Sequence, residues 1–176
     1  MPNWCEGSLK LKGKYDDILR FWQEGVNAYS YSADRNNERG TDLIPKEEWY
    51  EIEEYKGSTL IANHIPPSCW IYIEGTKRAF VDNSFCSYTI LKDSSGKAVM
   101  AIPFRQAWTI RQQDWVDIAN KYNLEIKIYA IESGCGFYCS FHVLSDGAIL
   151  DNAFYQSDMD KYEDFVWNCP FPWMGG

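Results

Sequence analysis

Two stretches of this chain change their hydrophobic period in the same way, and that repetition restricts the fold more than any other feature. In residues 4–12, Leu9 and Leu11 alternate with Lys10 and Lys12, the period-two pattern of a strand with one buried face. Gly13 ends it. Tyr15, Ile18, Leu19 and Trp22 then recur at i, i+3, i+4 and i+7, so residues 15–24 are expected to form a helix with one apolar stripe, stopped by Gly25. The order returns later, with a strand at 98–104 and a helix over 111–122 on which Trp115, Ile118, Ala119 and Tyr122 repeat the spacing. Strand followed by helix, twice, calls for helices laid on a sheet.

Between these units TLIANHI (59–65), CWIYIEG (69–75) and FCSYTILK (85–92) are β-rich. After them LEIKIYAIE (124–132) alternates, Gly134 and Gly136 turn the chain into FYCSFHVL (137–144), and Ser145-Asp146-Gly147 turns it into AILDNAF. With 176 residues there is room for one core. The expectation is a single α+β domain over 1–176: an antiparallel sheet with two helices packed on one face. It carries an acidic insertion at about 29–56, with a short helix from Pro45 to about Tyr55, and an irregular aromatic tail at about 155–176. Pro170 and Pro172 keep that tail from being regular, while Phe171 and Trp173 make it a candidate contact segment.

The net charge of −8 is unevenly placed. Residues 34–54 hold three basic against eight acidic side chains, and residues 146–176 hold one against six. This balance argues against non-specific, bulk electrostatic binding to a nucleic-acid backbone, although the mildly basic middle leaves room for a local site. An acidic surface favours a basic partner, which includes proteins that themselves grip nucleic acid.

No cationic segment followed by an apolar run begins the chain, and no stretch approaches a membrane-spanning length, so the expected location is the cytoplasm. Six cysteines without a C-x-x-C pair or a nearby ligating His read as reduced core thiols and not as a zinc site or a disulfide framework. Glycine-rich phosphate loops, a Ser-His-Asp arrangement and paired hydrolase carboxylates have no counterpart here, and no cofactor or metal is expected.

PNWC at 2–5 with its strand and helix, GTKRAFV at 75–81, QAW at 106–108 before the second helix, and Glu132 with Gly134-Cys135-Gly136-Phe137 together resemble the YubB-type ferredoxin-like domain of plasmid- and phage-encoded small proteins. Trp108-Thr109-Ile110-Arg111 departs from that family's usual Trp-Ser-Pro-Pro. The resemblance implies a ferredoxin-like fold, a mobile-element origin and residence in a bacterial host cell. It implies no reaction.

Besides a plasmid-maintenance or structural role with no inhibition, two functions are consistent with these features. In the first, a phage or plasmid protein binds and inhibits a host nucleic-acid-processing defence system, as an anti-CRISPR protein does. Glu47, Glu48, Glu51, Glu53 and Glu54 would imitate phosphates, with Trp49, Tyr50 and Trp173 as exposed anchors. In the second, the sheet binds RNA through exposed aromatics or cleaves a guide RNA without a metal. Cleavage would need His64 or His142 as general acid or base, and Lys77, Arg78, Arg105 or Arg111 to stabilise the developing charge, with Tyr88 or Tyr138 as further donors.

Overall fold

A computed structural model describes residues 3–31, 41–66, 68–132, 134 and 136–156. In chain order its elements are β1 (Trp4–Lys14), α1 (Tyr15–Gly25), β2 (Val26–Tyr31), β3 (Thr41–Ile44), α2 (Lys46–Trp49), β4 (Tyr50–Tyr55), β5 (Ser58–Asn63) and β6 (Trp70–Ile73). They continue with β7 (Ala79–Val81), β8 (Ser87–Lys92), β9 (Lys97–Ala107), α3 (Gln112–Tyr122), β10 (Glu125–Glu132), β11 (Phe137–Val143) and β12 (Ile149–Gln156).

Strand β1 is the axis of the sheet, running antiparallel to β9 on one side and β10 on the other. Leu9 sits opposite both Ile102 and Ile128, so three strands turn apolar side chains to one face and Lys10, Ala101 and Lys127 to the other. The pairing with β10 is close at Gly7, where an added Cβ would lie 1.9 Å from the Tyr129 carbonyl oxygen. Only glycine fits there.

Helices α1 and α3 cover the apolar face. They bury Ile18, Phe21 and Trp22 from one, and Trp115, Ile118, Ala119 and Tyr122 from the other. The helices meet where the Phe21 and Tyr122 rings pack edge to face at 5.4 Å, and Gly25 leaves room for the Tyr122 ring. Trp115 packs its edge on Phe104 and donates its indole N–H to Gln106 Oε1 at 3.1 Å, so that polar pair is satisfied inside the core. Asn123, in the left-handed region at φ 55°, ends α3.

Strand β9 then forks. Its first residues, Ala98–Met100, pair with β8, and its later ones, Phe104–Gln106, pair with β7. One branch continues through β6 and β2 to β3; the other continues through β5 to β4. The β4–β5–β8 branch also packs on α1, where Trp22 meets Tyr50 of β4 and Tyr88 of β8 at centroid distances of 6.2 and 5.1 Å, with Trp49 of α2 at 5.8 Å.

This architecture corrects the expected fold class. Among the described residues there are twelve strands in one sheet and three helices, not a ferredoxin-like sheet with two helices. The two strand–helix units were read from local periodicity, but strands from 41 to 92 enter the same sheet through pairings that no local period encodes. The helix expected from Pro45 to Tyr55 also stops early, at Trp49. From Tyr50 onward Tyr50 and Ile52 are half-buried while Glu51 and Glu53 are exposed, a period of two that makes the segment a strand. Residues 32–40 of the insertion and 157–176 of the tail lie outside the described residues. Among the described residues no helix is long and apolar enough to cross a membrane.

Candidate nucleic-acid interface

The face of the sheet turned away from α1 and α3 is where cations and aromatic rings converge. Strand register places Glu6, Arg105, Phe80, Tyr72 and Asn27 in one row across five strands, with Trp70 and Tyr29 in the neighbouring row. The rings form a continuous chain. Trp4 lies 6.3 Å from Trp70 and 5.8 Å from Phe80, Phe80 lies 5.1 Å from Trp70 and 5.4 Å from Tyr72, and Tyr72 lies 6.4 Å from Tyr29. Trp4, Trp70, Tyr72 and Phe80 are all half-buried, so each keeps part of its surface accessible.

Arg105 caps this cluster. Its guanidinium carbon is 5.1 Å from the Trp4 ring centroid and 5.2 Å from that of Trp70, within cation–π range of both. Among the described residues its Nε has no hydrogen-bond partner. Arg78, held at φ 61° in the turn between β6 and β7, places a second guanidinium 5.8 Å from the Trp4 ring. At the far end of the row Glu74 accepts from Asn27 and from the Tyr29 hydroxyl, each at 2.8 Å. Burial first, and then the Glu74 carboxylate, push the Tyr29 hydroxyl up to about 12.

Further along β1 the same face becomes cationic. Lys10 lies over the Tyr129 ring at 5.2 Å, and Lys127 sits opposite both Lys10 and His142. Glu125 accepts from Lys12 at 2.8 Å and pairs with His142 Nε2 at 2.9 Å. The Lys12 ammonium, against some desolvation and with help from His142, holds the Glu125 carboxyl below the usual carboxylate range.

The residues singled out from sequence are distributed unevenly over this geometry. Arg78 and Arg105 come together on Trp4. His142 is half-buried on the same face, but its partner is Glu125 and not a basic side chain. His64 is exposed beyond β5, 3.8 Å from Glu51, while the Lys77 backbone N–H and the Arg111 side chain both meet Asp114. The ribonuclease cluster drawn from sequence, a histidine meeting Lys77, Arg78, Arg105 or Arg111, is not assembled. Tyr88 is buried, and its hydroxyl donates to the Asp82 carbonyl at 2.7 Å.

The acidic set also needs correction at two positions. Trp49 is no exposed anchor; it is fully buried, 4.6 Å from Tyr50 and packed on Trp22. Glu54 is occupied by Lys92 at 2.7 Å and by the Tyr15 hydroxyl at 2.5 Å, which together hold it below the ordinary carboxylate range. Glu47, Glu48, Glu51 and Glu53 are exposed, Tyr50 is half-buried, and Trp173 lies outside the described residues. Cys5, Cys69 and Cys139 are buried thiols; Cys5 Sγ lies 3.7 Å from Cys139 Sγ, and that contact with burial pushes the Cys5 thiol up. Among the described residues no cluster of three or more His, Cys, Asp or Glu side chains could hold a metal.

Sequence reading missed Trp4, Trp70, Tyr72 and Phe80 as site residues. The available signal was parity: Trp70 and Tyr72 alternate with the buried Ile71 and Ile73, so both must point away from the core. No family model, curated protein or solved structure matches this chain.

Proposed function

We propose that the protein binds single-stranded RNA on the sheet face turned away from α1 and α3. The observation that carries this reading is Arg105, a half-buried guanidinium lying over the Trp4 and Trp70 indoles on a face of half-buried rings. Half-buried rings supply sequence-tolerant stacking for bases, and Arg105 and Arg78 supply charge-assisted donors to phosphates or base edges. The net charge of −8 is compatible with this, because the recognition is local stacking and not bulk attraction. In the setting that the sequence resemblance suggests, a mobile element inside a bacterial cell, the ligand is the guide RNA of a host defence system.

A titration of fluorescein-labelled single-stranded RNA followed by anisotropy tests this. Trp4→Ala and Arg105→Ala should each weaken binding by roughly 1–3 kcal/mol, the range for losing one stacked base. Equal affinity for wild type and both variants sinks the proposal. Following RNA length in chelator during the same titration separates binding from metal-independent cleavage, for which the His142–Glu125 pair is the candidate.

The exposed Glu47, Glu48, Glu51 and Glu53 on α2 and β4 favour a second reading, in which this surface contacts a basic host effector. Reversing these four charges should then abolish inhibition of the effector and leave the melting temperature in place. Inhibition that survives the reversal removes this reading.

A further inference from the structure

The face turned away from α1 and α3 is not open along its whole width. Ile131 of β10 and Tyr138 of β11 stand opposite one another and point outward, since the adjacent pair Ala130 and Cys139 lies in the core. They are nevertheless only 7% and 4% exposed. Next to them the outward Ser8 and Pro103, also a register pair, are buried as well. Neighbours within the sheet do not hide a ring as large as Tyr138, because strand side chains stand perpendicular to the sheet and leave their tips to whatever lies above. Glu6, Ala101 and Asp151 on the same face are exposed, so the burial is local, a patch from β11 to β9 with a cover over it. The described helices do not supply that cover: α1 and α3 are on the opposite face, and α2 packs on β2 and β4.

Of the chain outside the described residues, one segment has the length and the position to reach this patch. Residues 32–40 connect β2 to β3, and β11 lies six strand spacings from β2, about 29 Å. A nine-residue loop anchored at both ends reaches out about 17 Å. Residues 1–2 and the single positions 67, 133 and 135 are too short to roof a patch that spans four strands. Residues 157–176 instead follow directly on β12, where Tyr155 is the register partner of Tyr138. From there β9 is four strand spacings away, about 19 Å, which about six extended residues span.

The chemistry of that segment matches the patch. It interleaves Met159, Tyr162, Phe165 and Trp167 with the carboxylates of Asp158, Asp160, Glu163 and Asp164, against the single cation Lys161. Beside the patch Lys10 and Lys127 stand directly opposite in register, a like-charge pair that carboxylates laid above it relieve. Lys10, Tyr129 and Tyr138 are each engaged in further contacts, as residues beneath a packed segment are. We infer that residues 157–167 cross this face of their own chain as a strap. Its apolar side chains lie on Tyr138, Ile131, Ser8 and Pro103, and its carboxylates lie beside Lys10 and Lys127. The strap leaves the Trp4, Trp70 and Phe80 rings accessible, and its placement does not depend on RNA binding.

Carbodiimide crosslinking of the full chain, mixed in equal parts from unlabelled and heavy-nitrogen protein, reads the contact without any substitution. Lys10 or Lys127 should couple to Asp158, Asp160, Glu163 or Asp164, in pairs of a single isotope. Mixed-isotope pairs would assign the cover to a second copy of the chain and overturn the strap. Coupling to residues 32–40 alone, or none to residues 157–167, would overturn it too. Hydroxyl-radical footprinting gives a readout that does not involve the lysines. In a full-length variant carrying Tyr162→Ser, Phe165→Ser and Trp167→Ser, oxidation of Tyr138 should rise several-fold. Oxidation of the core residue Trp115 should stay at the wild-type level, which shows that the fold is retained. Tyr138 as well protected in that variant as in wild type sinks the inference.

Discussion

The two faces of the sheet are built from the same strands and obey different rules. Toward the helices, Leu9, Ile102, Phe104 and Ile128 meet Ile18, Trp22 and Trp115 with almost no accessible surface, and the Gln106 side chain has its partner in Trp115. On the opposite face Trp4, Trp70, Phe80 and Arg105 are only half-buried, and lysines follow along β1. A face with almost no accessible surface specifies the fold; a face that keeps aromatic surface accessible can take a ligand.

The comparison breaks most visibly in the core. Trp22→Ala removes the ring that links α1 to Trp49, Tyr50 and Tyr88, and should cost about 3–5 kcal/mol of stability in a urea titration. A loss below about 1 kcal/mol would mean that the β4–β5–β8 branch does not pack on α1 as described. Next in size is Arg105→Lys, which keeps the charge and discards the planar group that lies over Trp4 and Trp70. It should weaken RNA binding by about 1 kcal/mol while costing less stability than Trp22→Ala, since cation–π contacts at such sites contribute about 0.5–2 kcal/mol.

Smaller still is the acid response of the cationic end. The folded-state carboxyl of Glu125 lies below its ordinary value, so its pairing contributes stability above that value and loses it as pH falls through the folded one. Glu125→Gln should flatten the acid side of the stability–pH curve by no more than about 1 kcal/mol, as for a partly exposed pair. An unchanged acid limb would place Glu125 outside the Lys12 and His142 contacts. The smallest effect is expected for Glu47, Glu48, Glu51 and Glu53, each of whose single charge reversals should change stability by within about 0.5 kcal/mol and whose joint reversal should leave RNA affinity nearly unchanged. A large gain in RNA binding on that reversal would show that the two surfaces are electrostatically one.

Much of the helix-covered face was legible in the sequence, because its order is local. The spacing of Tyr15, Ile18, Leu19 and Trp22, and of Trp115, Ile118, Ala119 and Tyr122, places two helices within one residue of their observed limits. The fold class was not legible. It depends on Ile90 finding Met100 and Phe80 finding Arg105, and alternation states which residues share a face without stating which strand lies beside which. Trp49 shows the other failure: among charged neighbours a tryptophan was read as an exposed anchor, yet one turn of helix suffices to bury it against Trp22. The candidate site suffered most, since Trp4, Trp70, Phe80 and Arg105 come from four separate strands and only the register unites them.

Ultraviolet crosslinking of single-stranded RNA to the protein, with the modified peptides identified by mass spectrometry, tests the division between the two faces directly. Crosslinks should concentrate at Trp4, Trp70, Tyr72 and Phe80 and disappear from that set in Arg105→Ala. Crosslinks confined to the α2–β4 segment, or none above those of an unrelated acidic protein, would contradict the assignment of this face as the binding surface.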